Sequence, residues 1–167
     1  MVILGLDPGT ATTGYGVINV KNKSSPIEIL EFGVISTSSK FEMPERLLKI
    51  HKSLKQLILA CKPDCVSIEE IFFNTNDKTA VTVSQARGVL LLTCKLHRIQ
   101  IFEYTPLQVK SALVGYGRAD KRQVQKMVEG ALHLRLRSDS EHMRDDAYDA
   151  LALALTHLYS YNENMSS

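Results

Sequence analysis

The 167-residue chain is predicted to have an α/β fold in which helices cover both faces of a five-stranded mixed sheet. Two patterns predict it. Three short segments rich in β-forming residues, separated by turn residues, open the chain and indicate an antiparallel meander. The apolar period then becomes helical, and helices alternate with strands, which is typical of parallel pairing. The first strand can therefore lie at the centre of the sheet, beside the strand that follows the first helix.

The first half of the chain is divided by its turn residues. The three strands of the meander are predicted at 2–7, 13–20 and 27–37, with DPGT and KNKSSP between them. Apolar residues at helical spacing from Leu47 to Cys61 then predict a helix between Pro44 and Pro63. A strand is predicted at 64–72, in the sequence DCVSIEEIF.

The second half repeats the alternation. A helix is predicted over about 77–97, a strand at 99–104, and a short helix at 106–114 that ends at Gly115. Asp120 and Gln123 have the spacing of a capping box, which predicts a helix from there to about Leu134. The last helix is predicted to start between Ser140 and Asp145 and to end near Tyr161.

Length and composition indicate one globular domain over 1–161, followed by a frayed tail at 162–167. A net charge of only +2 means that any nucleic-acid-binding surface must be local. No apolar run approaches the roughly 20 residues of a membrane span, and no secretory signal is evident, so no membrane association is expected. Three unpaired cysteines, Cys61, Cys65 and Cys94, favour a reduced, cytosolic chain without structural zinc.

Four carboxylates stand out at positions where burial would be costly. Asp7 ends the first predicted strand, and Glu69 lies near the end of another; Asp146 and Asp149 are three residues apart on one face of the last helix. Structural explanations exist for most of them. Asp7 suits an Asp-Pro-Gly turn, Glu69 can be a strand-end charge, and the helix dipole favours Asp145 and Asp146 near a helix start. Asp149, further inside the helix, is harder to explain in this way.

Convergence of these acids would require a cation. Two carboxylates about 4 Å apart repel by roughly 4 kcal/mol at an effective dielectric constant near 20. Mg²⁺ prefers such oxygen ligands, and these acids lack the histidine-rich surroundings that are typical of a zinc site. Two ions about 3.5–4 Å apart would suit phosphodiester hydrolysis.

The ordered motifs of the chain resemble those of the RuvC family, bacterial Holliday junction resolvases with a ribonuclease-H-like fold. The resemblance covers about residues 2–160 and rests on GLDPGTATTGYGVI, PDCVSIEEIFF, SQARGV, FEYTPLQVKSALVGYGRADKRQVQKMV and DAYDALALALTH. It implies that Asp7, Glu69, Asp146 and Asp149 are catalytic metal ligands. Spacing alone allows Asp145 in place of Asp146, and the match to DAYDALA selects Asp146.

A basic segment is the candidate DNA-binding surface. Residues 106–128 contain five cations and one acid, a net +4 on a chain of +2. A solvated helix face is the ordinary explanation, and phosphate binding is the functional one. The resemblance places Lys110 and Lys121 near the scissile phosphate, Lys121 with a catalytic role. Arg118 and Arg122 are the further DNA-binding candidates.

Two aromatic residues follow Glu69 closely. Phe73 is expected to fill the core. For Phe72 the resemblance implies insertion at the junction, where unstacking of bases is offset by aromatic contact.

The resemblance also implies a homodimeric endodeoxyribonuclease that nicks a four-way junction on two opposed strands, with part of the QARGV helix at the dimer interface. It implies two Mg²⁺ ions per subunit with Mn²⁺ as a substitute, the RuvA and RuvB branch-migration proteins as partners, and a nucleoid-associated place in the bacterial cytoplasm. The alternative is a ribonuclease-H-fold nuclease that acts on RNA or on another branched nucleic acid.

Overall fold

The computed structural model describes residues 1–22, 25–70, 77–134 and 141–164, with backbone alone at 77–79, 141–144 and 162–164. The five strands are β1 (Val2–Asp7), β2 (Thr12–Asn19), β3 (Glu28–Ser36), β4 (Cys65–Glu69) and β5 (Gln100–Tyr104). The five helices are α1 (Met43–Cys61), α2 (Asp77–Leu96), α3 (Pro106–Val114), α4 (Lys121–Leu132) and α5 (Glu141–Asn164). The predicted elements are confirmed, with ends shifted by a few residues.

The strands form one mixed sheet in the order β3-β2-β1-β4-β5. β1, β2 and β3 pair antiparallel, as a meander must, whereas β4 pairs parallel with both β1 and β5. The prediction that β1 lies centrally beside the strand with Glu69 is therefore confirmed. This arrangement puts the carboxyl ends of β1 and β4 at the same edge of the sheet.

Side chains of β1 alternate between two separate cores. Leu4 and Leu6 pack with α1 and α2, in a cluster that includes Ile50, Leu54 and Leu90. Ile3 belongs instead to the cluster built around α5 and α4, with Leu151 and Val128 among its members. Helices thus cover both faces of the sheet, and the period of two in β1 assigns each residue to one face. Asp7 has the parity of Ile3 and faces α5.

The short helices near the basic segment have well-defined ends. Thr105 and Asp120 each form a capping box, with Gln108 and Gln123 respectively, so the capping box predicted for α4 is confirmed. α3 ends at Gly115, whose φ of 88° is readily adopted only by glycine. These caps fix the segment that connects α3 to α4 beside the edge of the sheet where Asp7 lies.

The last helix is longer than predicted. α5 begins at Glu141 and ends at Asn164, three residues past the predicted end near Tyr161. The prediction of a frayed tail is therefore wrong for residues 162–164, which are helical. Residues 165–167 of that tail lie outside the described residues, as do Phe72 and Phe73. Within the described part of the chain, no helix combines the length and apolar character that a membrane crossing requires.

Candidate active site

Two of the four acids end neighbouring parallel strands. β1 ends at Asp7 and β4 at Glu69. The register pairs Leu6 with Ile68, so the next residue of each strand is an acid at the same edge of the sheet. Leu6 and Ile68 pack toward α1 and α2. Because successive side chains alternate between faces, both acids point to the α5 side.

Glycines in the sheet let α5 come close to these strand ends. A Cβ added to Gly5 would lie 1.9 Å from the carbonyl oxygen of Ala150, and one added to Gly14 would lie 2.0 Å from that of Asp146. Gly5 pairs with Gly16 across β1 and β2, and a Cβ at Gly16 would likewise collide with α5. A side chain at any of these positions would push the helix away. The strand glycines therefore set the distance between the α5 acids and the strand acids.

The α5 acids occupy different positions in the site. Asp149 lines a cavity with Asp7 and Glu69. Asp146 lies beside it, and its Oδ2 accepts a hydrogen bond from the Thr12 hydroxyl of β2. Residue 12 has the same parity in β2 as Gly14, so it faces α5. The bond ties the first residue of β2 to α5.

The cavity has a volume of about 230 Å³ and two kinds of wall. Its polar side holds the acids Asp7, Glu69 and Asp149 and the cations Lys110 and Lys121. The apolar remainder comes from α3, α4 and α5, namely Pro106, Val109, Val124, Ala152 and Leu153. Acids that can bind a cation therefore face amines that can bind an anion, which suits a phosphodiester.

The acids are close enough to affect one another. Burial raises the pKa of the Asp7 carboxyl to about 8, and repulsion from the carboxylates of Asp149, Glu69 and Asp146 adds to the rise, while Lys121 opposes it. Burial also raises the pKa of Glu69, with a contribution from the charge of Asp149. Asp7 thus senses the other three predicted ligands, which places all four in one electrostatic unit.

Lys121 supplies positive charge to this unit. Its Nζ lies 3.1 Å from Oδ2 of Asp145 and 3.3 Å from Oδ2 of Asp149. Burial lowers the pKa of the ammonium, but the two carboxylates outweigh it and leave the pKa above its usual value. Burial raises the pKa of Asp149, and the charge of Lys121 opposes that rise. The ammonium therefore stays protonated beside the acids.

The structure assigns different contacts to the two neighbouring acids of α5. Asp146 points to β2 through Thr12, whereas Asp145 points to α4, where Lys121 and Gln125 contact it. The helix-dipole explanation of Asp145 is wrong, because α5 begins at Glu141 and Asp145 lies in its second turn, beyond the turn where the dipole acts. Whether Asp146 or Asp145 binds metal stays a prediction in favour of Asp146.

The donor set fits a hard divalent cation. No three Asp, Glu, His or Cys side chains among the described residues are arranged to enclose an ion as they stand. The groups around the cavity are nevertheless carboxylate oxygens, the ligands that Mg²⁺ prefers. A protein cation, the Lys121 ammonium, already lies at ion-pair distance from Asp149. The site therefore attracts positive charge, and the chemistry of its donors suits magnesium or manganese.

Four of the five predicted DNA-binding residues lie on α3, on α4 or in the segment between them. Lys110 of α3 and Lys121 of α4 line it. Arg118, in the connection between these helices, and Arg122 of α4 are exposed outside it. The fifth predicted residue, Phe72, lies outside the described residues.

A larger cavity of about 470 Å³ lies on the opposite face of the sheet, between α1 and the strands β2 and β3. Its charged lining residues are Glu31 and Lys49. With a single acid it cannot assemble a group of carboxylates. The smaller cavity is therefore the candidate active site.

Several residues that shape the site were not predicted. Thr12 orients Asp146, Gln125 holds Asp145, and Gly5 and Gly14 admit α5. The glycines did carry a signal, because an isolated glycine inside a strand often marks close approach of another backbone. Neither Thr12 nor Gln125 has a comparable signal, since their partners lie 134 and 20 residues away in sequence.

The chain is similar to a family of nucleases along almost its whole length. The family model described as crossover junction endodeoxyribonuclease RuvC matches residues 3–157. The RuvC of Syntrophomonas wolfei is 50% identical over 161 residues, which cover 96% of this chain and 90% of the relative.

Solved structures show the same similarity. Thermus thermophilus RuvC has a TM-score of 0.87 at 34% identity, covering 98% of this chain and 97% of that one. The Thermus thermophilus RuvC solved in complex with a Holliday junction substrate has a TM-score of 0.88 at 34% identity, with coverages of 98% and 96%. These similarities confirm the predicted fold class.

Proposed function

The chain belongs to the RuvC family of crossover junction endodeoxyribonucleases, and we propose that it resolves Holliday junctions by metal-dependent hydrolysis at the acidic cavity. One observation carries the proposal: the cavity of this chain combines carboxylates with lysines, which suits phosphodiester cleavage. In support, a structure with a TM-score of 0.88 was solved with a Holliday junction substrate. The proposed products are two symmetric nicks with 5′-phosphate and 3′-hydroxyl ends. One ribonuclease-H-like domain over 1–161 would carry the whole activity.

Asp7, Glu69, Asp146 and Asp149 would hold the metal. We propose Mg²⁺, two ions per subunit, with Mn²⁺ as a substitute. When bound, such ions supply activation of the attacking water and stabilisation of the leaving oxygen. The protein's part is to present oxygen donors from two strand ends and one helix. Support comes from the electrostatic coupling of Asp7 to the three other acids.

The cations of α3 and α4 would bind the DNA backbone. Lys110 and Lys121 line the same cavity as the acids, which supports contact with the scissile phosphate. Arg118 and Arg122 would bind flanking phosphates. The role proposed for Phe72, a wedge between bases at the crossover, rests on the family resemblance alone.

A homodimer would place two such sites on one junction. Val81, Leu92 and Leu96 of α2 are exposed and follow one another at helical spacing, along a stripe that also contains Gly88. We propose this stripe as the two-fold interface, since a four-way junction must be nicked on two opposed strands. RuvA and RuvB are the proposed partners, in the bacterial cytoplasm at the nucleoid.

A cleavage assay tests the proposal. A four-way junction, a linear duplex and an RNA–DNA hybrid are each incubated with the protein in Mg²⁺ or in EDTA. We expect paired nicks in the junction alone, and only with metal. Preferential cleavage of the hybrid would favour the ribonuclease alternative, and cleavage in EDTA would refute the metal site.

Two acid substitutions test the ligand assignment. Asp7→Asn and Asp146→Asn should each lower the cleavage rate at least about 10²-fold, because a group that stabilises transition-state charge is lost. Junction binding should be nearly unchanged, since it depends on the basic surface. Asp145→Asn should stay within a few-fold of the unmodified rate, and the reverse result would move the ligand by one residue.

A further inference from the structure

One acid beside the cavity has contacts that the proposed metal site does not require. The carboxylate of Asp145 lies 3.1 Å from Nζ of Lys121, through Oδ2, although Asp145 is not among the residues that line the cavity. The same ammonium lies 3.3 Å from Oδ2 of Asp149. Asp145 and Asp149 are four residues apart on α5, so both face α4. Lys121 is therefore shared between a cavity acid and an acid outside the cavity.

Gln125 fixes the second oxygen of Asp145. Its Nε2 donates a hydrogen bond of 2.9 Å to Oδ1, while Lys121 binds Oδ2. Lys121 and Gln125 are also four residues apart, on one face of α4. Two neighbouring side chains of α4 thus hold both oxygens of one carboxylate of α5. This arrangement limits the positions open to the carboxylate, and through it those open to the ammonium.

We propose that Asp145 is a positioning residue, which holds the Lys121 ammonium at the mouth of the cavity so that it meets the DNA phosphate. The inference rests on the proposed function, since it assumes that a phosphodiester enters there. A lysine side chain carries its ammonium on a four-carbon stem with rotatable bonds, and it is flexible unless a partner holds it. Asp149 cannot be a lasting partner if it also binds metal. Asp145 can, because it lies outside the cavity.

Charge and positioning predict opposite effects of Asp145→Asn. If Asp145 acted only as a nearby negative charge, its neutralisation would strengthen binding to the polyanionic junction and so raise kcat/KM. If it positions Lys121, its neutralisation lowers kcat/KM for junction cleavage. The ion pair is partly exposed, with 51% of the Lys121 side chain and 26% of the Asp145 side chain accessible. We therefore expect a decrease of about two- to fivefold, the range of such pairs.

A double-mutant cycle separates the pair from other effects. kcat/KM is measured for the unmodified protein, Asp145→Asn, Lys121→Ala and the double variant. Asp145→Asn should lower kcat/KM when Lys121 is present and leave it unchanged in the Lys121→Ala background. Glu45→Gln, an exposed acid of α1, is the matched control for the change in charge. An equal decrease in both backgrounds, or an increase in kcat/KM, would overturn the proposal.

Metal binding to the DNA-free protein gives a readout that does not depend on activity. In a calorimetric titration with Mn²⁺, Asp145→Asn should bind as the unmodified protein does, whereas Asp149→Asn should lose binding. Loss of binding in Asp145→Asn would make Asp145 a ligand and overturn the positioning role. Gln125→Ala, which keeps every acid, should lower kcat/KM in the same direction as Asp145→Asn, and an unchanged value would count against the proposal.

The outcomes distinguish this inference from the proposed function. If the unmodified protein does not nick junctions, the proposed function fails. If it does, and the two substitutions are independent in the cycle, only the role of Asp145 fails. Thermal melts of each variant confirm that the compared proteins are folded.

Discussion

At the scale of single residues, the candidate site contains an acid, Asp7, whose ionised form is disfavoured by its surroundings in the folded protein. Asp7 ends a central strand, and burial together with three nearby carboxylates raises its pKa to about 8. The unfolded chain ionises near the ordinary value of 3.8. Between these two values the folded state binds a proton that the unfolded state has lost, so stability falls as pH rises. Without metal, the raised pKa of Asp7 therefore lowers the free energy of unfolding as the pH rises.

Asp7→Asn should therefore stabilise the metal-free protein increasingly as the pH rises from about 4 to about 8. The variant cannot ionise at this position, so its advantage in Tm should be clearly larger at pH 8 than at pH 5, by several degrees. At this chain length 1 kcal/mol corresponds to about 2–4 °C in Tm. Thermal melts in EDTA at both pH values measure the difference. A constant difference across the two pH values would show that Asp7 titrates normally.

Thr12 gives a second prediction at this scale. Its hydroxyl donates to Asp146, a proposed metal ligand, and loss of a hydrogen bond that orients such a ligand lowers metal affinity or activity about 10–100-fold. Thr12→Val keeps the shape of the side chain and removes the donor, so the cleavage rate should fall roughly tenfold. Thr12→Ser keeps the hydroxyl and should cleave within a few-fold of the unmodified rate. Equal rates for the Val and Ser variants would exclude a role for the hydroxyl.

At the scale of elements, the candidate site forms where α5 packs against the carboxyl ends of β1 and β4. Gly5 and Gly14 allow the helix backbone to lie against the strands. The small residues Ala147, Ala150 and Ala154 are buried on α5. Close approach of α5 to the sheet therefore depends on glycines in the strands and on alanines in the helix. As a result, the helix acid Asp149 lines one cavity with the strand acids Asp7 and Glu69.

Gly5→Ala should disrupt the packing of α5 against β1. The added Cβ would meet the Ala150 carbonyl at 1.9 Å, a contact that only a shift of α5 can relieve. We expect a loss of about 1–3 kcal/mol in unfolding free energy, as for other overpacked cores, together with reduced cleavage.

Gly130→Ala is the matched control. A Cβ there meets nothing within 4 Å on helix α4, so it should leave stability unchanged or raise it by up to about 1 kcal/mol. Chemical denaturation measures both variants. If Gly5→Ala is as stable as Gly130→Ala, close packing does not set the position of α5.

At the scale of the whole molecule, the two faces of the sheet carry different groups. The α5 face carries the acids and the basic helices α3 and α4. On the other face, α2 buries Ala86, Leu90 and Cys94 and exposes Val81 and Leu92 on its outer side. Catalysis and the proposed dimer contact would then use opposite layers of one domain, so that dimerisation leaves the cavities accessible.

Leu92→Glu should convert the proposed dimer to a monomer. The residue is 60% exposed in the single chain, and a charge at the centre of an apolar interface is costly. Leu59→Glu, at a residue of α1 that is 56% exposed, should leave the dimer intact. Sedimentation measures both variants, and nicking of a junction should become unpaired in the Leu92 variant. A dimer that survives Leu92→Glu would place the interface elsewhere.

Much of this molecule could be predicted from local patterns. Alternation and helical spacing gave the strands and helices, because these periods follow from backbone geometry alone. The Asp120 capping box and the Gly115 helix end were also predictable, since the groups involved are within a few residues of each other. The end of α5 was placed three residues too early, as helix ends lack a strong signal when no proline or glycine follows.

By itself, the sequence determined which elements form and which of them carry acids, since both depend on neighbouring residues. Only the tertiary structure decided that Asp146 faces Thr12, that Asp145 faces Lys121 and Gln125, and that the cavity has an apolar wall. The physical reason is that these contacts join residues far apart in the sequence, so no local pattern reports them. These contacts join side chains 20 to 134 residues apart, and the one between Thr12 and Asp146 also needs the glycines in β1 and β2 that let α5 pack closely against the sheet.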